Sequence, residues 1–321
     1  MIRHAYILLC HKWTEQLARL VARLETEHTH FFVHVNRRTT DDEYQRMVEG
    51  LNAFSRLEFI ERQELFWGGI GMVNASLSGL RAAVASDVSF DFVSFITAQD
   101  YPIKSNEAIE DFLQEHRGQS FITVHPIPSE ILWPDERHGL DRIEYWHFRK
   151  PGRDRMQPRD HIVFPRPNSF GRPPASWIWN ALVACLPLKR TFVPGFEPYG
   201  GGCYWTFSGE AAEYIVQYIR NNPSYHRFFE RVHIPDEIYY QTLLANSPLK
   251  DKLVCRTLRY IAWEKRPSGG PPAFLDSSDL PALKASGELF ARKLDSSRDP
   301  GILDRIDREL RQGPVKSVVK E

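Results

Sequence analysis

Cysteine is scarce in this chain of 321 residues: only Cys10, Cys185, Cys203 and Cys255 occur, and none lies in a CxxC or other metal-like spacing. Four are too few for a disulfide framework at this length, and the usage points to a reducing compartment. No apolar run approaches the ~20 residues of a spanning helix, and "AYILLC" after "MIRH" is too short for a signal segment. Neither sign of charge is in excess, with 41 Lys and Arg against 41 Asp and Glu. That balance gives no pointer to nucleic acid or to an anionic membrane. Several catalytic signatures are missing as well. There is no P-loop, no GxGxxG after the first strand, no GxSxG elbow, no HExxH and no well-placed DxD. Classical dinucleotide binding, serine hydrolysis of the α/β type and zinc proteolysis therefore have no support.

What is present is an ordinary globular balance, 42% hydrophobic and 26% charged, with a rather high 12% of aromatic residues. Aromatic faces stack on sugars and bases, and they also fill cores. The first 125 residues alternate strand and helix. "AYILLC", "HFFVHV", "LEFI", "DFVSFIT" and "SFITV" read as strands. "TEQLARLVARLE" carries Leu17, Leu20, Val21 and Leu24 on one helical face, with Thr14 as N-cap. The second helix opens on Thr40 with Glu43 three residues on, a capping box, and the fourth on Ser105. Such alternation forces right-handed crossovers and a mostly parallel sheet, whose ligands bind beyond the carboxyl ends of its strands. Those ends are His11–Lys12, Asn36–Arg38, Trp67–Gly69 and Gln99–Pro102.

Residues 125–175 are rich in Pro, Arg, His and Trp and show no sustained period, which marks a functional loop region rather than a linker. Helices are expected at "ASWIWNALVACL", "GEAAEYIVQYIR", "PSYHRFFERV" and "PDEIYYQTLLAN", then a strand at "LVCRTLRYIAWE". The last ~25 residues read as a charged peripheral helix and tail. The expected organisation is one domain over 1–295, with 1–125 as the nucleotide-sugar half and 126–295 as the acceptor and catalytic half, followed by the appendage 296–321.

"HIPDEIYYQTLLANSP" is the stretch with the clearest chemical content. Pro235 suits the first helical position, so Asp236 and Glu237 fall in the first turn, where the helix dipole favours a carboxylate by ~0.3–1 kcal/mol. Dipole compensation and catalysis look alike on those residues alone. In "GGCYW" the glycines supply positive φ in a tight turn or let a sugar approach the backbone.

The company these residues keep is more specific. "HVN" ends the second strand, "WGG" opens the third helix, "FITAQDYPIKS" ends the fourth strand, and "GGCYWTFSGEAAEYI", "IPDEIYYQT" and "LFARKLD" follow in order. In this order and spacing they resemble the core-2/I-branching glycosyltransferase family, over about residues 4–295, with "WGG", "QDYP" and "FARK" on the peptide O-xylosyltransferase side. The resemblance implies a GT-A-like α/β fold with a mostly parallel, Rossmann-like sheet. It implies an inverting transfer that uses no metal, with a UDP-sugar as donor and xylose or N-acetylglucosamine as the sugar. Glu237 then falls at the catalytic base, Lys293 at the donor diphosphate, and His11, His34 and Asn36 at the nucleotide. Arg259 and Arg292 are candidates for a second diphosphate arginine, and Trp67, Gln99, Asp100, Tyr204, Trp205 and Asp236 for the sugar or acceptor. The family reads HVD where this chain has Asn36, which leaves the choice of donor open.

The chemistry is coherent: one base removes the acceptor hydroxyl proton, and fixed cations take up the charge of the leaving diphosphate. The expected partners are the donor and a glycan, glycolipid or peptide acceptor, with no nucleic acid. The expected setting is bacterial and cytoplasmic, at the inner membrane face where the acceptor is membrane-linked. Two other readings stay open, a glycoside hydrolase pairing Glu237 with Asp236 or Asp100, and a non-catalytic sugar-nucleotide-binding protein.

Overall fold

The computed structural model describes residues 1–12, 14–135, 137–151, 158–164, 189–263 and 272–310. The first half runs β1 (His4–Cys10), α1 (Thr14–Leu24), β2 (Thr29–Val35), α2 (Asp41–Leu51), β3 (Leu57–Phe59), α3 (Gly71–Ala85), β4 (Phe92–Thr97), β5 (Asp100–Pro102), α4 (Asn106–Glu115) and β6 (Ser120–Ile122). Then come β7 (His125–Pro126), α5 (Leu140–Glu144), β8 (Trp146–Pro151), β9 (Pro158–Phe164), β10 (Tyr199–Gly200) and β11 (Trp205–Ser208). The remainder is α6 (Gly209–Asn221), α7 (Pro223–Phe229), α8 (Tyr239–Ala245), β12 (Leu253–Val254), β13 (Arg259–Ile261), α9 (Leu280–Ala285), β14 (Phe290–Arg292) and α10 (Ile302–Glu309).

The α/β class expected from the alternation is what the chain forms. A seven-stranded sheet has the order β12-β6-β11-β4-β1-β2-β3. β11 is antiparallel to both its neighbours, and the other pairs are parallel. β1 shows why its sequence is nearly all apolar: Tyr6, Leu8 and Cys10 are buried on one face of the sheet and Ala5 and Ile7 on the other. Leu17, Leu20, Val21 and Leu24 of α1, Met47 of α2 and Phe112 of α4 cover the first face. Val73, Leu77 and Leu80 of α3, Ile215 of α6 and Leu243 of α8 cover the second. Thr40 and Ser105 cap their helices, accepting from the Glu43 and Ala108 N–H groups, whereas α1 begins at Thr14 itself.

Four expectations need correction. "LVCRTLRYIAWE" is not one strand: β12 joins the large sheet, and β13 lies in a second sheet of order β13-β14-β5. The chain breaks between them where Leu258 adopts φ +59. The described part of residues 125–175 is more regular than its composition implied, since β8 and β9 pair antiparallel. Gly201 and Gly202 of "GGCYW" are not among the positive-φ glycines of the described residues, which are Gly68, Gly118, Gly139 and Gly195. Finally, α10 is not peripheral: Ile302, Leu303 and Ile306 are buried in the first-face core, and Asp307 accepts from Arg19, Arg23 and the Tyr101 hydroxyl. The helix expected at "ASWIWNALVACL", Cys185 and the tail from 311 lie outside the described residues. Among the described residues no helix is long and apolar enough to cross a membrane.

Candidate active site

Asp236 and Glu237 do not sit in the first turn of α8. They lie in a separate 3-10 turn, Pro235–Glu237, and Ile238 with φ −133 divides it from the helix. The dipole argument therefore loses most of its force, and tertiary contacts must set the two carboxyl groups. The turn starts from Ile234, which holds φ 50 and ψ 61. A β-branched residue there is strained, and such strain gathers at functional sites. Three bonds hold the turn in place. Ile234 N–H donates to the Gly68 carbonyl at 3.1 Å, Gly201 N–H to the Glu237 carbonyl at 2.8 Å, and Glu237 N–H to the Ile234 carbonyl at 3.2 Å. "WGG", "YGGG" and "PDE", far apart in sequence, thus meet through backbone.

Glycine is required at that meeting. A Cβ on Gly201 would lie 1.7 Å from the Thr123 carbonyl oxygen, and one on Gly200 would lie 2.3 Å from the Trp133 ring. The Glu237 carboxylate accepts from Arg142 Nη1 at 2.8 Å. The Arg142 guanidinium in turn lies 4.3 Å from the centre of the Trp133 ring. Burial, and then the neighbouring Glu237 charge, pushes the Asp236 carboxyl up to about 7, while Arg142 and Arg149 oppose the shift. Sequence reading missed Arg142, Trp133 and Arg149. They come from the segment without a readable period, and only the repeated Arg and Trp there hinted at them.

The "FARKL" strand approaches from the other side. β14 pairs antiparallel with β5, Arg292 opposite Asp100, and Leu294 N–H donates to the Gln99 carbonyl at 2.9 Å. This lays Lys293 across the carboxyl end of β4. The Arg292 guanidinium is 4.7 Å from the Tyr204 ring centre. Cys203 sits in the chain between Gly201, which holds the Glu237 carbonyl, and Tyr204, which faces Arg292; burial and then the charges of Asp236 and Glu237 push its thiol up, and Arg292 pulls it down. Lys293 is half-buried, its ammonium 4.2 Å from the Phe274 ring centre. Burial lowers its pKa, followed by the charges of Arg292, Arg298 and Lys12, with Asp295 opposing. Arg298 shares the Phe274 ring with Lys293, its guanidinium 3.9 Å from the ring centre.

Several other candidates are sealed off. Asp100 is fully buried, taking Arg259 Nε on one oxygen at 3.1 Å and the Thr97 N–H and hydroxyl on the other at 2.6 and 2.7 Å. The Arg259 side chain is equally buried, so neither presents a surface to sugar or diphosphate, and the pair instead fixes the strand that carries Arg292. Trp205 is in the core, 1% exposed and stacked on Phe207 with centroids 4.0 Å apart. It is no sugar platform. His34 is buried and accepts from Gln63 N–H at 2.7 Å. Burial drops its pKa to about 4. Asn36 is also buried and spent: its amide donates to the Leu65 carbonyl at 3.1 Å, and its oxygen accepts from Leu65 and Arg38 N–H. Of the remaining candidates, Trp67 is half exposed beside His233, Gln99 and His11 are half-buried at strand ends, and Tyr204 is buried under the two arginines.

The Core-2/I-Branching enzyme profile matches residues 4–160 and 177–283. The chain belongs to that family. Xylosyltransferase 2 of Rattus norvegicus is 23% identical over 330 residues, which is 97% of this chain and 34% of the relative. The Homo sapiens protein of the same name is 23% identical over 329 residues, 96% of this chain and 34% of its own length. Xylosyltransferase 1 of Homo sapiens is 22% identical over 269 residues, 83% of this chain and 24% of the relative. This Core-2/I-Branching family member thus spans about a third of the length of its xylosyltransferase 2 relatives. Among solved structures, 4-diphosphocytidyl-2C-methyl-D-erythritol synthase from Anaerococcus prevotii overlaps 67% of this chain and 76% of its own at 10% identity. Its TM-score of 0.29 carries no argument.

Proposed function

We propose that the protein is an inverting glycosyltransferase that moves a sugar from a UDP-sugar to an acceptor hydroxyl. The observation that carries this reading is the short run from Gly201, whose N–H holds the Glu237 carbonyl at 2.8 Å, to Tyr204, whose ring centre lies 4.7 Å from the Arg292 guanidinium, so that one segment joins the Asp236–Glu237 turn to a fixed cation. Glu237 is the general base. It takes the proton of the acceptor hydroxyl as that oxygen attacks the anomeric carbon and the bond to the diphosphate breaks. Arg142, stacked on Trp133, orients the carboxylate before the acceptor arrives. Lys293 and Arg292, with Arg298 and Lys12 behind them, take up the charge that grows on the leaving diphosphate, the task a divalent metal would otherwise perform. Xylose is the first sugar to test, because the relatives bear the name xylosyltransferase, and N-acetylglucosamine is the second.

The hydrolase reading loses one of its two pairings, since it needs two carboxyl groups facing a cleft and Asp100 is sealed in its ion pair; the pairing of Glu237 with Asp236, its neighbour in the same short turn, is left to the assay. The deciding experiment is a panel of UDP-sugars followed by thermal shift, then by turnover with and without EDTA. One UDP-sugar should stabilise the protein and turn over equally well in EDTA. Absence of any shift and of any UDP release across the panel overturns the reading, and turnover lost in EDTA and restored by Mn²⁺ overturns its leaving-group chemistry.

A further inference from the structure

β8 and β9 place three side chains on one face of their hairpin. His147 and Arg149 are two residues apart on β8, and His161 stands directly opposite Arg149 on β9. His233, three residues before Asp236, closes the group from the catalytic turn. The three imidazoles stack with centroids 5.1–5.4 Å apart, and one nitrogen from each lies within 4.8 Å of the others. No spacing in the sequence announces this cluster.

Proton accounting makes the cluster unusual. His147 Nε2 faces the Asp141 carbonyl at 3.0 Å. A carbonyl only accepts, so Nε2 carries the proton and Nδ1 of the neutral ring holds a lone pair. That lone pair points at His161 Nε2, 3.1 Å away. His161 Nε2 also faces Arg149 Nη2 at 3.1 Å. A guanidinium only donates, so His161 Nε2 holds a lone pair too. Arg149 Nη2 donates as well to His233 Nδ1, which supplies the third. Three lone pairs converge on one point, two of them face each other with no proton between them, and a cationic nitrogen touches the other side.

We propose that His147, His161 and His233 form a binding site for a borderline divalent cation of the zinc class, and that Arg149 holds its place in the metal-free protein. Three neutral imidazoles suit zinc, cobalt or copper rather than magnesium or calcium. Metal–nitrogen bonds of about 2.0–2.1 Å set the nitrogens ~3.4 Å apart in a tetrahedral arrangement, so the rings need move little. The displaced guanidinium has a partner in reach: its Nη1 already donates to the Trp67 carbonyl at 3.2 Å, and it lies 5.9 Å from the centre of the Trp67 ring. The ion would clasp the hairpin to the segment that leads into the Asp236–Glu237 turn. It is a nitrogen site, apart from the cations assigned to the diphosphate, and its test does not depend on the proposed transfer.

The test uses the full chain, tag-free, stripped with chelator and dialysed. Co²⁺ is added and visible absorption followed, and Zn²⁺ is titrated by calorimetry. One equivalent should bind, with the intense bands of low-coordinate cobalt. His161→Gln, an exposed change checked by circular dichroism, should weaken binding by more than about 100-fold, beyond the loss usual for an outer-shell partner. Arg149→Ala should tighten binding by at least tenfold, a gain that misfolding cannot imitate. A spectrum that stays that of hexaaquo cobalt, parental affinity in His161→Gln, or unchanged affinity in Arg149→Ala overturns the proposal.

Discussion

At the residue scale, neighbours decide what each polar group is able to do. In the proposed transfer Glu237 and Lys293 act at opposite ends, so their losses should differ in kind. Glu237→Gln keeps the shape and the contact with Arg142 but removes the base, and kcat should fall about 10²–10⁴-fold with UDP affinity unchanged. Lys293→Ala should lower kcat and UDP affinity together, because the lysine meets charge in both the bound and the transition state. Calorimetry with UDP beside steady-state kinetics separates the two patterns, and parental turnover in either variant removes that residue from the mechanism. Asn36 makes a different point. Its amide N–H meets the Leu65 carbonyl, where an aspartate would set oxygen against oxygen. Asn36→Asp should therefore cost about 1–3 kcal/mol in urea unfolding, and no loss would mean that the strand end tolerates the family's acid. Asp236 supplies a pH signature. Its folded pKa of about 7 against an ordinary 3.8 means that the folded state keeps a proton the unfolded chain has released. Stability from this group is thus present at low pH and falls as pH rises from about 4 to 7. Asp236→Asn lacks that slope and should gain on the parent across the window by on the order of 2 kcal/mol. Equal differences at pH 4.5 and 7.5 would show an ordinary carboxyl.

At the element scale, the site is a contact between short pieces that have little structure of their own. β10 is two residues long and pairs with β7, Tyr199 against Pro126 and Gly200 against His125. The next residue, Gly201, presses on Thr123 and holds the Glu237 carbonyl. This explains why the sequence showed the pieces without their arrangement. Capped helices and buried strands are written in local periodicity, and α2, α4 and the parallel strands were readable from it. A 3-10 turn, a two-residue strand and a hairpin carrying Arg149 have no period, and their positions depend on long-range contact. The motifs signalled Glu237 and Lys293 only through their joint order, and they gave no sign that Trp205 and Asp100 are core. Gly201→Ala should cost about 1–3 kcal/mol by forcing β10 from the Thr123 carbonyl, and it should depress kcat by moving Glu237. Gly202→Ala is the control, since its Cβ would have no neighbour closer than 3.8 Å. Thermal melts and turnover on both variants give the result, and equal behaviour would mean that the tight approach is not what positions the turn.

At the scale of the whole molecule, the two ends of the chain close on each other, and the core does not stop where the charge pattern suggested. "ILDRIDRE" looks like a solvated helix because Asp and Arg dominate it, yet its three apolar residues fall on one face and are buried. Arg19 and Arg23 of α1 meet Asp304 and Asp307 of α10 at 2.7–2.9 Å, and Tyr101, on the strand that aligns Arg292, donates to Asp307. The charges that hid the helix in the sequence are the ones that orient it. Partly exposed ion pairs of this kind contribute little each, so the docking energy lies mainly in the apolar face. Ile306 has no exposed surface, and Ile306→Ala should cost about 2–5 kcal/mol through lost burial and the cavity left behind. The helix makes no contact with Glu237 or Lys293 among the described bonds, so kcat well below the melting temperature should stay at the parental value. Denaturant unfolding with kinetics at low temperature checks both halves. A loss under about 0.5 kcal/mol, the size of an ordinary surface change, would mean that the helix is not docked in solution and that the shared core ends before it.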